Sequence, residues 1–147
     1  MKITLAWIGK TRHPAIQSLS DEYSKRLLQF AEVDGVSLKD EAALLKLSGR
    51  EGKTPRRFLV LLDSRGKQLS SEELAQFIRS HRERNSTPLV FAIGPADGFA
   101  ENTRSHADFT LSLGKMTIAH ELARVFLLEQ IYRAFTILQG HPYHLGH

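Results

Sequence analysis

Cysteine is absent from the 147 residues, tryptophan occurs once, and there are two methionines and five prolines. Without cysteine there is no disulfide framework and no thiolate metal site, which suits a reducing compartment. Long uncharged apolar runs are missing as well. The stretch from Met1 to Ile8 meets Gly9-Lys10-Thr11-Arg12 before it reaches the length of a secretory core. The most apolar segment, Ala119 to Leu138, carries Glu121, Arg124, Glu129 and Arg133, which argues against a membrane span. A soluble cytoplasmic chain with no membrane partner is the expectation. Acidic residues are slightly outnumbered, 16 against 20 Lys and Arg, for a formal net charge of +4. That excess is compatible with a polyanionic partner but common among soluble proteins. The length fits a single domain over residues 1–147, large enough to bury a core without covalent staples.

What is present is an alternation of strand-length apolar runs with helical patterns. Ile3 to Ile8 alternates like a strand. Ala15 to Phe30 carries helical spacing through Ile16, Leu19, Tyr23, Leu27 and Phe30, and Val33 to Leu38 is extended again. Glu41 to Leu47 reads as a short helix. Arg50 to Arg57 reads as a charged, mobile loop whose basic residues either face solvent or contact nucleic acid. Phe58 to Leu62 is a continuous apolar run of the kind buried in a parallel sheet, ending in Asp63-Ser64-Arg65-Gly66. Ser70-Ser71-Glu72-Glu73 supplies a capping box for a helix through about Arg82. Leu89 to Ile93 is a second buried strand, entering Gly94-Pro95-Ala96-Asp97-Gly98; a short helix from about Ala100 precedes a strand from Phe109 to Leu113. The rhythm predicts an α/β sheet with helices on both faces.

Ligands in such sheets bind beyond the carboxyl ends of the strands. Those ends are Leu62-Asp63, Gly94 to Gly98 and Leu113 to Ile118. Gly94 and Gly98 do not form GxGxxG, and no GxxxxGK[ST] occurs, so the usual dinucleotide and P-loop readings have no support. Spacing alone leaves open whether these glycines serve a ligand or only turn the chain. From Ala119 to Leu138 there is neither Gly nor Pro, and thirteen of the twenty residues are apolar. Such a helix can face both a core and a partner subunit. Glu129 and Arg133 share one face, four residues apart.

Taken together, these segments resemble the SPOUT-class methyltransferases, specifically the small family that methylates N3 of a pseudouridine in large-subunit ribosomal RNA. The resemblance covers the whole chain. It rests on Gly9-Lys10, Tyr23 with Arg26, Leu62-Asp63 with Gly66, Ser70 through Ala75, Phe91 through Gly98, and Leu113 through Arg124. Its most specific blocks are Leu128-Glu129-Gln130-Ile131-Tyr132-Arg133-Ala134 and His141-Pro142-Tyr143-His144. The resemblance implies a SPOUT-type sheet with a C-terminal trefoil knot and a homodimer built on the knotted region. It implies an S-adenosylmethionine site on Leu62, Gly94, Leu113, Gly114, Lys115, Met116, Thr117 and Ile118. It also implies 23S ribosomal RNA within the assembled ribosome as the substrate. The chain departs from the family pattern at Pro95, where a second glycine is usual, at Lys115, where small residues are commoner, and at Ala119, where proline is usual. Lys115 must therefore point outward or reach a carboxylate or phosphate, and the turn before His120 is expected to be looser.

Methyl transfer from a sulfonium to an imide nitrogen is an in-line displacement, helped by alignment and by a group that takes the proton or stabilises the anion. In this family reading Arg133 stabilises oxygen charge, His144 accepts the proton directly or through water, and Tyr143 stacks on the base. Alternatives stay open at each. Arg133 can form an ion pair with Glu129 that organises the dimer, and His120 can order a turn rather than catalyse. The tail, with histidines at 141, 144 and 147, can fray or close over the partner's cofactor site; without cysteine or nearby carboxylates no metal is expected there. Arg12, Lys25, Arg26, Arg104 and Lys115 are candidate phosphate contacts. The competing class is a non-catalytic RNA-binding dimer of the same fold, and a nearer alternative is a transfer RNA target.

Overall fold

The computed structural model describes residues 1–84, 87–95 and 97–145. In chain order its elements are β1 (Lys2–Ile8), α1 (Pro14–Leu27), β2 (Glu32–Leu38), α2 (Glu41–Leu47), β3 (Phe58–Gln68), α3 (Ser71–Arg84), β4 (Leu89–Ile93), α4 (Glu101–Ser105), β5 (Phe109–Ser112) and α5 (His120–Leu138). The strands form one parallel sheet in the order β2-β1-β4-β3-β5. The continuous apolar runs of β3 and β4 are explained by cover on both faces. Ile3, Leu5, Val60, Phe91 and Leu111 point into the layer made by α1, α3 and α5. Ala6, Leu59, Leu61, Val90 and Ala92 point to the other side, against Leu44 of α2 and Phe99. Helix α5 lies in the first layer, packed against both α1 and α3. Among the described residues no helix is long and apolar enough to cross a membrane.

Two expected boundaries and one expected exposure differ, each for a packing reason. Helix α1 stops at Leu27 rather than Phe30, because the chain turns there, with the amides of Phe30 and Ala31 both donating to the Leu27 carbonyl. The turn brings Phe30 to stack on Phe135 of α5 at 5.6 Å. Strand β3 does not end at Leu62. After a bulge it resumes, so that Leu62 and Lys67 both lie opposite Leu111 of β5. Gly66 permits this return, since a Cβ there would sit 2.6 Å from the Thr110 carbonyl oxygen. Finally, Arg50 does not face solvent. Its side chain is 2% exposed, donates to the Ser48 and Arg57 carbonyls at 2.7 Å each, and pairs with Asp108. The basic loop after α2 is thereby tied at its start to the entry of β5. The capping box at α3 forms in both directions: the Glu73 amide donates to Ser70 Oγ at 3.1 Å and the Ser70 amide to Glu73 Oε1 at 2.8 Å.

Candidate active site

Because β3, β4 and β5 run parallel, the bulge of β3 at Leu62 to Arg65 and the loops after β4 and β5 open on one side and enclose a cleft of about 740 Å³. Of the expected cofactor residues, Leu62, Gly94, Leu113, Gly114, Met116, Thr117 and Ile118 line it. Lys115 does not; its side chain is exposed, as its length and charge on this loop require. The first turn of α5 closes one wall with His120 and Ala123. A second cleft, about 680 Å³, lies between α3 and β3/β5 and is lined by Phe58, Phe77, His81 and Phe109. It holds none of the expected site residues.

The cleft walls follow from small residues in particular places. Gly94 lies under Phe99, whose ring carbons would be 3.0 to 3.1 Å from any Cβ. Pro95 accepts the Gly98 amide at 2.9 Å through its carbonyl, the group that proline retains, so its substitution for glycine is compatible with the turn. Gly114 has φ of +142°, and its amide and carbonyl both engage Ser112 Oγ. From Met116 to Ile118 the backbone amides and carbonyls make no hydrogen bond among the described residues. They are free to meet a ligand. On the opposite wall Asp63 accepts from Arg65 at three points between 2.9 and 3.0 Å, and this contact with the guanidinium holds its carboxyl below the usual range. Ala119 adopts φ of −54°, a value that proline would also take, so the backbone path survives the loss of proline. Unpaired backbone donors and acceptors beside glycines and apolar side chains suit a purine and a ribose, so the residues present fit S-adenosylmethionine.

The other expected residues assemble elsewhere. Arg133 donates to Glu129 through Nη2 at 2.7 Å and Nε at 3.3 Å, and through Nη1 to His144 Nδ1 at 3.0 Å. The Tyr143 hydroxyl donates to Glu129 Oε2 at 2.9 Å, while its ring packs on Tyr132 and lies under the Arg133 guanidinium. Burial, with bonds to Tyr23 and Glu129, pushes the Tyr143 phenol well above its ordinary range. The Glu129 contact likewise raises Arg133. The Arg133–Glu129 ion pair read from the sequence is thus present, within one chain. His120 and Arg133 are 13 residues apart on α5, roughly 20 Å at about 1.5 Å per residue. Within one chain, the cleft and the Arg133 cluster stand toward opposite ends of this helix.

Two contacts escaped the sequence reading. Glu72 Oε1 lies 2.7 Å from His144 Nε2, whereas in the sequence Glu72 signals only a helix start. Glu121 Oε1 accepts the Arg12 amide at 2.7 Å and, more weakly, the His13 amide at 3.4 Å, which ties the β1–α1 loop to the cleft wall. The signal was a carboxylate on the apolar helix, which must find donors. His147 and Gly146, part of the tail pattern, lie outside the described residues, as does Ala96. Among the described residues no group of three His, Asp or Glu is placed to hold a metal.

The family model described as "Predicted SPOUT methyltransferase" matches residues 1–144. Curated relatives include "Ribosomal RNA large subunit methyltransferase H" from Koribacter versatilis, 54% identical over 100% of both chains. The protein of the same name from Trichlorobacter lovleyi is 46% identical over 98% of this chain and 99% of its own. Solved structures share the fold at low identity. A probable methylase family protein from Haemophilus influenzae matches with TM-score 0.59 and 10% identity over 96% of this chain and 69% of that one. The SpoU methyltransferase AviRb from Streptomyces viridochromogenes, solved with the cofactor AdoMet, matches with TM-score 0.55 and 13% identity over 90% of this chain and 57% of that one. The chain belongs to the SPOUT methyltransferases and, among them, to the ribosomal RNA large subunit methyltransferase H family.

Proposed function

We propose that this protein is a cytoplasmic, S-adenosylmethionine-dependent methyltransferase acting on N3 of a pseudouridine in 23S ribosomal RNA, within assembled ribosomes. In this reading residues 1–147 form one domain, the C-terminal segment is threaded as a trefoil knot, and the working unit is a homodimer. The observation that carries it is the separation just described. Reacting groups must come within about 3–3.5 Å, yet the cleft and the Arg133 cluster are about 20 Å apart along α5. A second copy brings one chain's cluster to the other's cleft. Leu122 and Phe126, apolar but 56% and 43% exposed on α5, offer a face for that pairing.

When bound, S-adenosylmethionine supplies an electrophilic methyl group. Leu62, Gly94, Leu113, Gly114, Met116, Thr117 and Ile118 hold it, largely through backbone groups, and exposed Lys115 is assigned to an RNA phosphate. Glu129 and His144 occupy three of the five N–H bonds of Arg133, so the rest can meet the oxygens of the target base as negative charge develops on loss of the N3 proton to solvent water. Tyr143 provides a ring against which the unstacked base lies.

Two measurements test this. Calorimetric titration of S-adenosylmethionine into the protein should give saturable binding. Co-purified heterodimers of Gly94→Val with Arg133→Ala, each inactive as a homodimer, should recover methylation of ribosomes, because one of the two composite sites is intact. Ribosome binding without cofactor binding would instead establish the non-catalytic RNA-binding reading. Cofactor binding without recovery in the heterodimer would remove the shared site.

A further inference from the structure

His144 sits between two partners of fixed character. Its Nδ1 is 3.0 Å from Arg133 Nη1, and its Nε2 is 2.7 Å from Glu72 Oε1. A guanidinium in a protein keeps all its protons and has no acceptor, so in this contact Arg133 donates and His144 Nδ1 must be the lone-pair nitrogen. The ring proton then belongs to Nε2, which donates to the Glu72 carboxylate. That carboxylate is held ionised by its own backbone amide and by His144, both of which lower it. Neither nitrogen of His144 is free. Nδ1 is committed to Arg133, and Nε2 already carries its proton.

From this arrangement we infer that Glu72 is a positioning residue for the proposed reaction: it holds His144 as the Nε2–H tautomer, whose Nδ1 lone pair then fixes the Arg133 guanidinium, and His144 is not the proton acceptor. The inference rests on the reading of Arg133 as the group that meets the target base. Glu129 grips one edge of the guanidinium through Nε and Nη2, and the Glu72–His144 pair holds Nη1. Two elements distant in sequence, the first turn of α3 and the C-terminal tail, thereby set the orientation of one side chain on α5. A planar donor fork loses its directional value if it can rotate, so clamping from both ends is what makes it an oxyanion donor rather than a diffuse charge.

Substitutions that keep the hydrogen-bond role but remove the charge or the base decide the matter. Glu72→Gln retains an oxygen that accepts from Nε2–H, whereas Glu72→Ala does not. His144→Asn retains an oxygen near the Nδ1 position but cannot accept a proton, whereas His144→Ala has neither property. On ribosomes, kcat is expected to fall roughly ten- to a hundredfold in Glu72→Ala and His144→Ala, the size of a lost hydrogen bond to a charged group. It should stay within about tenfold of wild type in Glu72→Gln and His144→Asn. KM for S-adenosylmethionine should not move in the Glu72 variants, and the acid limb of the pH–rate profile should persist in His144→Asn.

Long-range proton–nitrogen spectra of full-length protein labelled with 15N-histidine, with His144→Gln used for assignment, should show a protonated Nε2 and a bare Nδ1 near neutral pH. A protonated Nδ1, an acid limb lost in His144→Asn, or a wild-type kcat in Glu72→Ala would each overturn the inference. The spectrum separates this failure from failure of the proposed function, since it is read on the protein without substrate.

Discussion

Arg124, 1% exposed, lies over the indole of Trp7 with its guanidinium carbon 4.0 Å from the ring centroid, and donates through Nη2 to Thr11 Oγ1 at 2.8 Å. Among the described residues no carboxylate is paired with it at hydrogen-bond distance and its Nε is unsatisfied, and desolvation lowers its pKa. The charge is held at a cost, and the packing on Trp7 supplies the return. Arg124→Ala should therefore destabilise the fold by about 2–4 kcal/mol, the range for emptying a large buried site. Arg124→Met, which keeps the volume and discards the charge, should recover most of that loss. Urea midpoints of the three proteins measure it, and equal losses in both variants would show that the charge itself stabilises.

Glu121 gives an acid-side prediction. Its carboxyl is lowered chiefly by the Arg12 amide, with the His13 amide adding to the effect. The unfolded chain therefore binds this proton more readily than the folded one, and stability from this group is present above the ordinary carboxylate range near 4.3. It is lost as pH falls through the lower folded value. Glu121→Gln should be less stable than wild type at pH 7, and the gap should close toward pH 3. A gap that stays constant with pH would mean that the amide contacts do not depend on the ionised carboxylate.

Ala119 stands in a proline-compatible conformation, φ −54° and ψ 136°, as the N-cap of α5, and its amide makes no hydrogen bond among the described residues. Ala119→Pro should raise stability by about 0.4–1 kcal/mol by narrowing the unfolded ensemble. It should also leave cofactor binding within about twofold, because the path of the cleft wall does not change. Thermal melting and calorimetry check the two halves separately.

Tyr143 separates ring from hydroxyl. Glu129 keeps two contacts from Arg133 when the hydroxyl is removed, so Tyr143→Phe should methylate within a few-fold of wild type. Tyr143→Ala should lose about tenfold or more, since stacking a base on an aromatic ring is worth about 1–3 kcal/mol. Initial rates on ribosomes decide between them; equal loss in both would assign the role to the hydroxyl.

The sheet was legible because β3 and β4 are covered on both faces, and Phe58 to Leu62 and Leu89 to Ile93 announce that with unbroken apolar runs. Their carboxyl ends placed the cleft, and Leu113 to Ile118, apart from Lys115, line it. The bulge after Leu62 was not legible, because it depends on how closely Gly66 approaches Thr110 of another strand. Arg50 read as a solvated loop residue for the same reason: its carbonyl partners and Asp108 come from segments that only the fold brings together. Glu72 carried one signal in the sequence, a helix start, and has a second role that requires the tail to fold back over α3. Local patterns encode elements and caps; contacts between distant segments have to be seen.

The strand order carries a consequence for how the chain acquires its structure. Ile3 in β1 waits for Leu89 in β4, and the layer over Leu5 and Phe91 stays open until α5 has docked between α1 and α3. All the strand pairings among the described residues are parallel and therefore non-local, which predicts slow folding of high contact order. During synthesis no complete core exists until α5 leaves the ribosome, and any product stopped before it exposes the apolar face that α5 would have sealed. The helix that joins cleft to cluster is also the one that ends the chain's exposure to aggregation.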